Sequence, residues 1–274
     1  YIPWLAAWEQ AHYGPDGFYA RESNPEPHFR TGMMEGSTRI EQLFTELVTQ
    51  LERIGKPKDF TVLDAGSGND ALARSLKDLA SQHGLHWHIE SHNFHDGDLR
   101  EIDARGGAGA VVAHELLDDI PCTIAELDEN LRAVRIDVDP QTGHESVGDH
   151  LLPAEVAWLE RWWPPTVAFA RREIGITRDL LMRRLLGLFD SGCMIMIDYC
   201  TTQGARTSGQ IDAGTLIGYQ HGRPTRPVPD GLMNITAHVA LESLVAQALE
   251  HTGSEPRTWR ESAQSDFHWR VQPL

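Results

Sequence analysis

The residues best placed to do chemistry are acids that close runs of strand-forming apolar residues. Asp64 ends the run Phe60-Thr61-Val62-Leu63 and stands just before Gly66 and Gly68. Such glycines let backbone amides approach a ligand where a Cβ would collide. An acid at a strand's carboxyl end faces the crevice where α/β sheets bind ligands. An anionic group there suits the ammonium of S-adenosylmethionine and repels a pyrophosphate. The spacing Gly66-x-Gly68-x-x-Ala71 also fits the relaxed dinucleotide fingerprint, with Glu90 as the ribose acceptor, so a nicotinamide dinucleotide stands as the alternative ligand.

Further acids arrive at the same edge. The apolar run Ala108 to Ala113 delivers His114-Glu115-Leu116-Leu117-Asp118-Asp119-Ile120-Pro121, and Cys193 to Ile197 ends in Asp198-Tyr199. Carboxylates in that position orient a cationic nucleophile or take up its proton. Glu115 leads this set, with Asp118, Asp198 and Tyr199 beside it. The stretch His83 to His95 holds five of the 14 histidines. A zinc site needs three or four convergent ligands, and no Cys or carboxylate partner stands at a zinc-like spacing, so no metal is expected.

The elements that must position these residues follow from periodicity. Pro3 to His12 reads as a short helix with Trp4 and Trp8 inward, and the turn-rich aromatic stretch from Tyr13 to Thr31 reads as a lid. Thr38 to Ile54 is an amphipathic helix that stops at Gly55-Lys56-Pro57, and Leu72, Leu76 and Leu79 carry a second helix to Gly84. Trp87 to Glu90 is expected as a strand with Glu90 at its end. Thr123 to Val138 predicts a hairpin followed by a polar loop through His150. Helices are expected around Val156 to Leu159 and from Thr177 to Phe189, with Arg171, Arg172, Arg183 and Arg184 on solvated helix faces and Trp158, Trp162 and Trp163 packed. Cys193 to Tyr199 reads as a buried strand, Ala237 to His251 as a helix, and short strands fall near Trp259 and Trp269. The expected division is 1–58 for N-terminal helices and lid, 59–121 for the first part of a donor-binding core, 122–190 for an inserted substrate lobe and 191–274 for the rest of the core.

Composition bounds the reading. A chain of 274 residues with 41% hydrophobic content buries a full core. With 24 basic against 40 acidic residues its net charge is −16, which argues against a nucleic-acid partner and suits a basic acceptor. Cys122, Cys193 and Cys200 are too few and scattered for a disulfide framework and read as reduced, packed thiols. No apolar run is long enough for a membrane span and the opening residues lack a signal pattern, so a cytoplasmic location is expected.

Several separated motifs together resemble one family, the MidA-type class I methyltransferases, which include a mitochondrial complex I assembly factor acting on a protein arginine. They are Tyr13-Gly14-Pro15-Asp16-Gly17-Phe18-Tyr19, His28-Phe29-Arg30-Thr31, Asp64 to Gly68, Glu115-Leu116-Leu117-Asp118 with Pro121, Ile197-Asp198-Tyr199, Gly214-Thr215-Leu216 with Tyr219 and His221, and Ile235-Thr236-Ala237-His238-Val239. The resemblance implies a Rossmann-like seven-strand α/β sheet with an inserted substrate lobe. It also implies S-adenosylmethionine as cofactor, held by Phe29, Thr31, Asp64, Gly66, Gly68, Glu90 and His114. The implied acceptor is a protein, peptide or small molecule carrying a basic nitrogen, most directly an arginine side chain. A small-molecule O- or N-methyltransferase and a binding protein without activity are the alternatives. The chain departs from the family pattern at His114, Cys200, Ile217 and Asn234, commonly Asn, Gly, Arg and Asp, and its segment between Glu90 and Ala108 is short.

Overall fold

The computed structural model describes residues 1–21, 37–93, 96–260 and 267–274; Phe29 and Thr31 lie outside them, as does most of the expected lid. The first half of the chain forms β1 (Ile2–Pro3), α1 (Trp4–Tyr13), α2 (Phe18–Arg21), α3 (Ser37–Arg53), β2 (Thr61–Ala65), α4 (Ala71–Gln82), β3 (His88–His92), β4 (Ala108–His114), β5 (Thr123–Leu127) and β6 (Ala133–Val138). The second half forms β7 (Glu145–His150), α5 (Pro153–Trp162), β8 (Arg171–Ile174), α6 (Ile176–Leu186), β9 (Ser191–Thr201), α7 (Gln203–Thr207), β10 (Ile217–Gln220), β11 (Arg223–Thr225), β12 (Asn234–Thr236), β13 (Val239–Ala240), α8 (Leu241–Thr252), β14 (Arg257–Arg260) and β15 (Phe267–Pro273). These elements fall into two units. The first comprises Tyr1–Phe29, Leu117–Asp179 and Tyr199–Leu244; the second comprises Arg30–Leu116, Leu180–Asp198 and Val245–Leu274. Of the stretch expected as a substrate lobe, 122–179 share a unit with α1, α2 and 199–244, while 180–190 fall in the other.

The second unit is built on a sheet in the order β14-β15-β9-β4-β2-β3, in which β3, β2, β4 and β9 are mutually parallel. Strands buried on both faces read as continuous apolar runs. Val62, Leu63, Val111, Val112, Ile195 and Met196 are accordingly excluded from solvent. Helix α4 turns Ala73, Leu76 and Ala80 inward and α3 turns Leu43, Phe44, Leu47 and Leu51 inward, the spacing of one helical face. Each such leucine contributes about 1.5–3 kcal/mol by leaving water.

The first unit holds a five-stranded antiparallel sheet, β1-β6-β5-β8 with β7 on the other side of β6, and a small sheet β11-β10-β12. Trp4 and Trp8 of α1 pack with Ile124, Ile136, Val138 and Ile235. Trp158 and Trp163 pack with Leu151, Leu159 and Ile174, as expected of these tryptophans. Of the lid stretch, Gly17 to Arg21 is built into this unit, with Phe18 buried.

Four local expectations are corrected. Glu145–His150, expected as loop, is the strand β7, whose polar residues carry no apolar alternation because it lies at a sheet edge with little to bury. Arg171 and Arg172 lie in β8, not on a helix, and Arg172 is buried beneath the Trp163 ring. The C-terminal helix starts at Leu241, because Val239 and Ala240 first run parallel to Cys200 and Thr201 of β9. Glu90 is the central residue of β3 rather than its last, since pairing with β2 continues through Ser91 and His92.

Two glycines explain how closely β4 and β9 approach. Gly109 and Gly192 face each other in the ladder, Gly192 has φ +130°, and a Cβ there would lie 1.7 Å from the Gly109 carbonyl oxygen. The obstacle is backbone, so no rotamer change relieves it. Gly192→Ala is therefore expected to destabilise the protein by roughly 3 kcal/mol or more, or to abolish soluble expression, measured by urea unfolding.

Candidate active site

At the carboxyl end of β2 the chain turns sharply. Gly66 adopts φ +81°, its N–H donates to the His92 carbonyl at 2.9 Å, and a Cβ would meet Leu116 Cδ1 at 2.6 Å. The following residues are fixed by their own side chains. Ser67 Oγ accepts from the Asp70 amide at 3.0 Å, and Asn69 Oδ1 accepts from the Ala71 amide at 3.1 Å, satisfying an early N–H of α4. Asp70, itself left-handed at φ +59°, accepts from Ser91 Oγ at 2.6 Å and Asn93 Nδ2 at 3.2 Å, which ties the loop to the end of β3.

Asp64 lies just beneath this turn. Its side chain is 3% exposed and Oδ2 has no hydrogen-bond partner among the described residues. Burial pushes its carboxyl up to about 7, against the opposing pull of a hydrogen bond from Ser67. A buried carboxyl with an unused oxygen has room for a donor or a cation. The ammonium of a methionine-derived ligand fits that requirement and a pyrophosphate does not.

The other expected residues of this unit are placed as follows. Glu90 is engaged by the Arg105 guanidinium and lies 3.4 Å from His88 Nε2. His114 ends β4, and burial, with Arg39 adding to it, lowers its imidazole to about 3, so it is neutral. Its Nε2 is 3.5 Å from Glu115 Oε1, a contact of a neutral ring with a carboxylate rather than an ion pair. Glu115 adopts φ +47°, and its amide donates to the Ile197 carbonyl at 2.8 Å. A left-handed glutamate costs of order 1 kcal/mol or more, the kind of strain that persists at functional sites. Asp198 is fully buried in β9.

In the first unit the structure brings Tyr199 against His238, ring centroids 6.0 Å apart and nearly parallel. Asp118 is buried, and its carbonyl accepts from Arg178 Nη2 at 3.0 Å and the Ala237 amide at 3.0 Å. Its neighbour Asp119, not among the residues singled out for catalysis, has partners from three elements: Tyr19 Oη and Asn234 Nδ2 donate to its carboxyl and Tyr13 Oη to its carbonyl. Burial first, then the Asp118 charge, raise the Asp119 carboxyl well above its ordinary range. The signal that would have found this cluster is the aromatic turn from Tyr13 to Tyr19, whose hydroxyls need buried acceptors.

A family model described as "Putative S-adenosyl-L-methionine-dependent methyltransferase" matches residues 74–258. The chain belongs to that family. The match starts within α4, beyond the glycine turn, and so does not include Asp64 and Gly66. S-adenosylmethionine, the donor the sequence favours over a dinucleotide, is the one in the family's description. No curated protein matches the chain. Among solved structures, a COG1565 superfamily member from Burkholderia thailandensis bound to S-adenosyl-homocysteine is 19% identical, with TM-score 0.75 over 92% of this chain and 72% of the other. An uncharacterised COG1565 superfamily protein from the same organism is 15% identical, with TM-score 0.79 over 100% of this chain and 87% of the other. At these identities the likeness is one of fold: a mixed α/β methyltransferase-like chain with a large sheet. Among the described residues no helix is long and apolar enough to cross a membrane.

The raised carboxyl of Asp64 gives a test in which stability and ligand binding move oppositely. Its ordinary value is 3.8 and its folded value about 7, so the folded state favours the protonated form. The associated stability is complete below pH 4 and is lost as pH rises through 7. Asp64→Asn removes this loss. The methyltransferase carrying it is expected to be more stable than wild type by roughly 1–3 kcal/mol at pH 8 and nearly equal at pH 4, while binding S-adenosylmethionine at least tenfold more weakly. Urea unfolding at both pH values and calorimetry with the donor check it.

Proposed function

We propose that the chain binds S-adenosylmethionine at the carboxyl end of β2 and transfers its methyl group to a nitrogen nucleophile, an arginine side chain of a protein or peptide. The sheet reads as the Rossmann-like class I arrangement and the chain as a MidA-type member working in the cytoplasm. The observation that carries the donor site is the unused oxygen of buried Asp64 beneath left-handed Gly66. The S-adenosyl-homocysteine held by a neighbour of this fold, the product left once a methyl has gone, supports the same reading.

When bound, the donor supplies a methyl group on a sulfonium, already activated for in-line displacement. What remains for the protein is proximity, alignment and a place for one proton. Asp64 holds the cationic end of the donor, and Gly66 keeps the turn open for it. Glu115 is held in a strained backbone conformation one strand over, where an ionised carboxylate orients a guanidinium and favours loss of its proton. Asp198, a buried carboxyl in β9, is read with Glu115; in the first unit Asp118 and Tyr199, the latter stacked on His238, remain the other residues read for the acceptor.

Glu115→Gln keeps size and polarity and removes the charge. Turnover on arginine-containing peptides, followed by mass spectrometry with labelled donor, is expected to fall roughly ten- to a hundredfold, with S-adenosyl-homocysteine affinity unchanged. Intact turnover with weakened donor binding would instead make Glu115 a donor ligand. A wild-type protein that neither binds the donor nor labels any peptide would overturn the whole reading.

A further inference from the structure

Position 70 has a backbone that suits glycine and a side chain that glycine could not supply. At φ +59° and ψ +11° it lies in the left-handed region, which glycine enters freely and other residues only at a cost, smallest for Asp and Asn. Earlier in the same turn, at Gly66, the chain does use glycine in that region. Nor does the side chain serve its own helix. An aspartate at an N-cap ordinarily accepts from an amide of the first helical turn. Among the described residues the Asp70 carboxylate makes no such cap to α4.

It crosses to β3 instead. Asp70 Oδ1 accepts from Ser91 Oγ at 2.6 Å and from Asn93 Nδ2 at 3.2 Å. Ser91 is the register partner of Asp64 in the parallel β2–β3 pair. Residues opposed in such a pair send their side chains to the same face of the sheet, so the tie ends beside Asp64. A second link acts through space: burial is the main cause of the raised Asp64 carboxyl, and the Asp70 charge adds to it. The main chain of Asp70 is fastened as well, its amide donating to Ser67 Oγ at 3.0 Å and its carbonyl accepting from the Arg74 amide at 2.9 Å. One residue thus joins the glycine turn, α4 and the end of β3, all within the second unit.

We propose that Asp70 is a positioning residue of the donor site, whose bond to Ser91 clamps the turn of Gly66 to Gly68 onto β3 and fixes how Asp64 meets the cationic end of the donor. This rests on the reading of the carboxyl end of β2 as the S-adenosylmethionine site. Asp70 acts through Ser91 and Asn93 rather than on the donor itself. A residue kept in a sparsely populated conformation by several neighbours at once is the form that strain takes at ligand clamps. Glycine would relieve that strain and leave the turn untied.

The test sets donor affinity against stability, by calorimetry with S-adenosyl-homocysteine and urea unfolding of the full chain at pH 7. Asp70→Gly relieves the backbone and removes both side-chain bonds, so its urea midpoint is expected to stay close to that of wild type while affinity falls roughly tenfold. Asp70→Asn tolerates the left-handed backbone and keeps an Oδ1 to accept from Ser91, and should bind within about threefold of wild type. Ser91→Ala, which decides the matter if Asp70→Gly does not fold, should lose roughly threefold or more. Added to Asp70→Gly it should cost little further, since both remove the same bond. Affinity that falls only in step with the urea midpoint, an Asp70→Asn that fails to restore binding, or Asp70→Gly and Ser91→Ala that bind as wild type, overturns the positioning role. Wild type that binds S-adenosyl-homocysteine alongside unaffected variants removes this role alone, and wild type that does not bind it removes the donor site as well.

Discussion

Parallel pairing is the constraint on which the second unit depends. Strands β3, β2, β4 and β9 all run the same way, so every carboxyl end opens on one edge and every return of the chain must cross elsewhere. Residues far apart in sequence, Asp64, Glu115 and Asp198, therefore finish on the same side of the sheet without any need to touch. The Gly109–Gly192 step lets β4 and β9 approach, and the turn at Gly66 is held to β3 by the His92 carbonyl, so the edge is defined by main chain before any side chain acts.

That edge was legible because buried parallel strands leave a strong mark. Apolar runs ending in an acid predict β2, β4 and β9, and helical periodicity predicts α3 and α4 nearly to the residue. The Asp64 and Gly66 pairing followed from local physics alone. In the first unit the β5–β6 hairpin, α1 and α5 were legible, but the remaining strand pairing was not, because those antiparallel strands are short and several are half exposed. β7 has no apolar face, β10 to β12 are three or four residues each, and two arginines look like any solvated pair until the fold buries one.

Buried arginines mark the difference between the two kinds of information. Arg172, Arg178 and Arg206 are all excluded from solvent, and each has an aromatic ring within cation–π distance, Trp163 for two of them and Trp8 for the other. Sequence composition assigns such residues to the surface by default. Only the arrangement of carbonyls around them shows where their donors go. The same holds for Asp119, whose partners come from α1, α2 and β12, segments that no spacing rule would connect.

Arg178 carries a consequence of a different kind. It holds the turn at Asp118 and Ile120, together with the carbonyl of His238, through main-chain oxygens that every amino acid possesses, and Thr177 adds the carbonyl of Pro121. The path of that turn is thereby independent of which side chains it displays. Arg178 itself cannot become lysine, which lacks the planar fork that reaches three carbonyls at once. The backbone of that turn is thus held from beneath by one guanidinium, whatever its own side chains bond to.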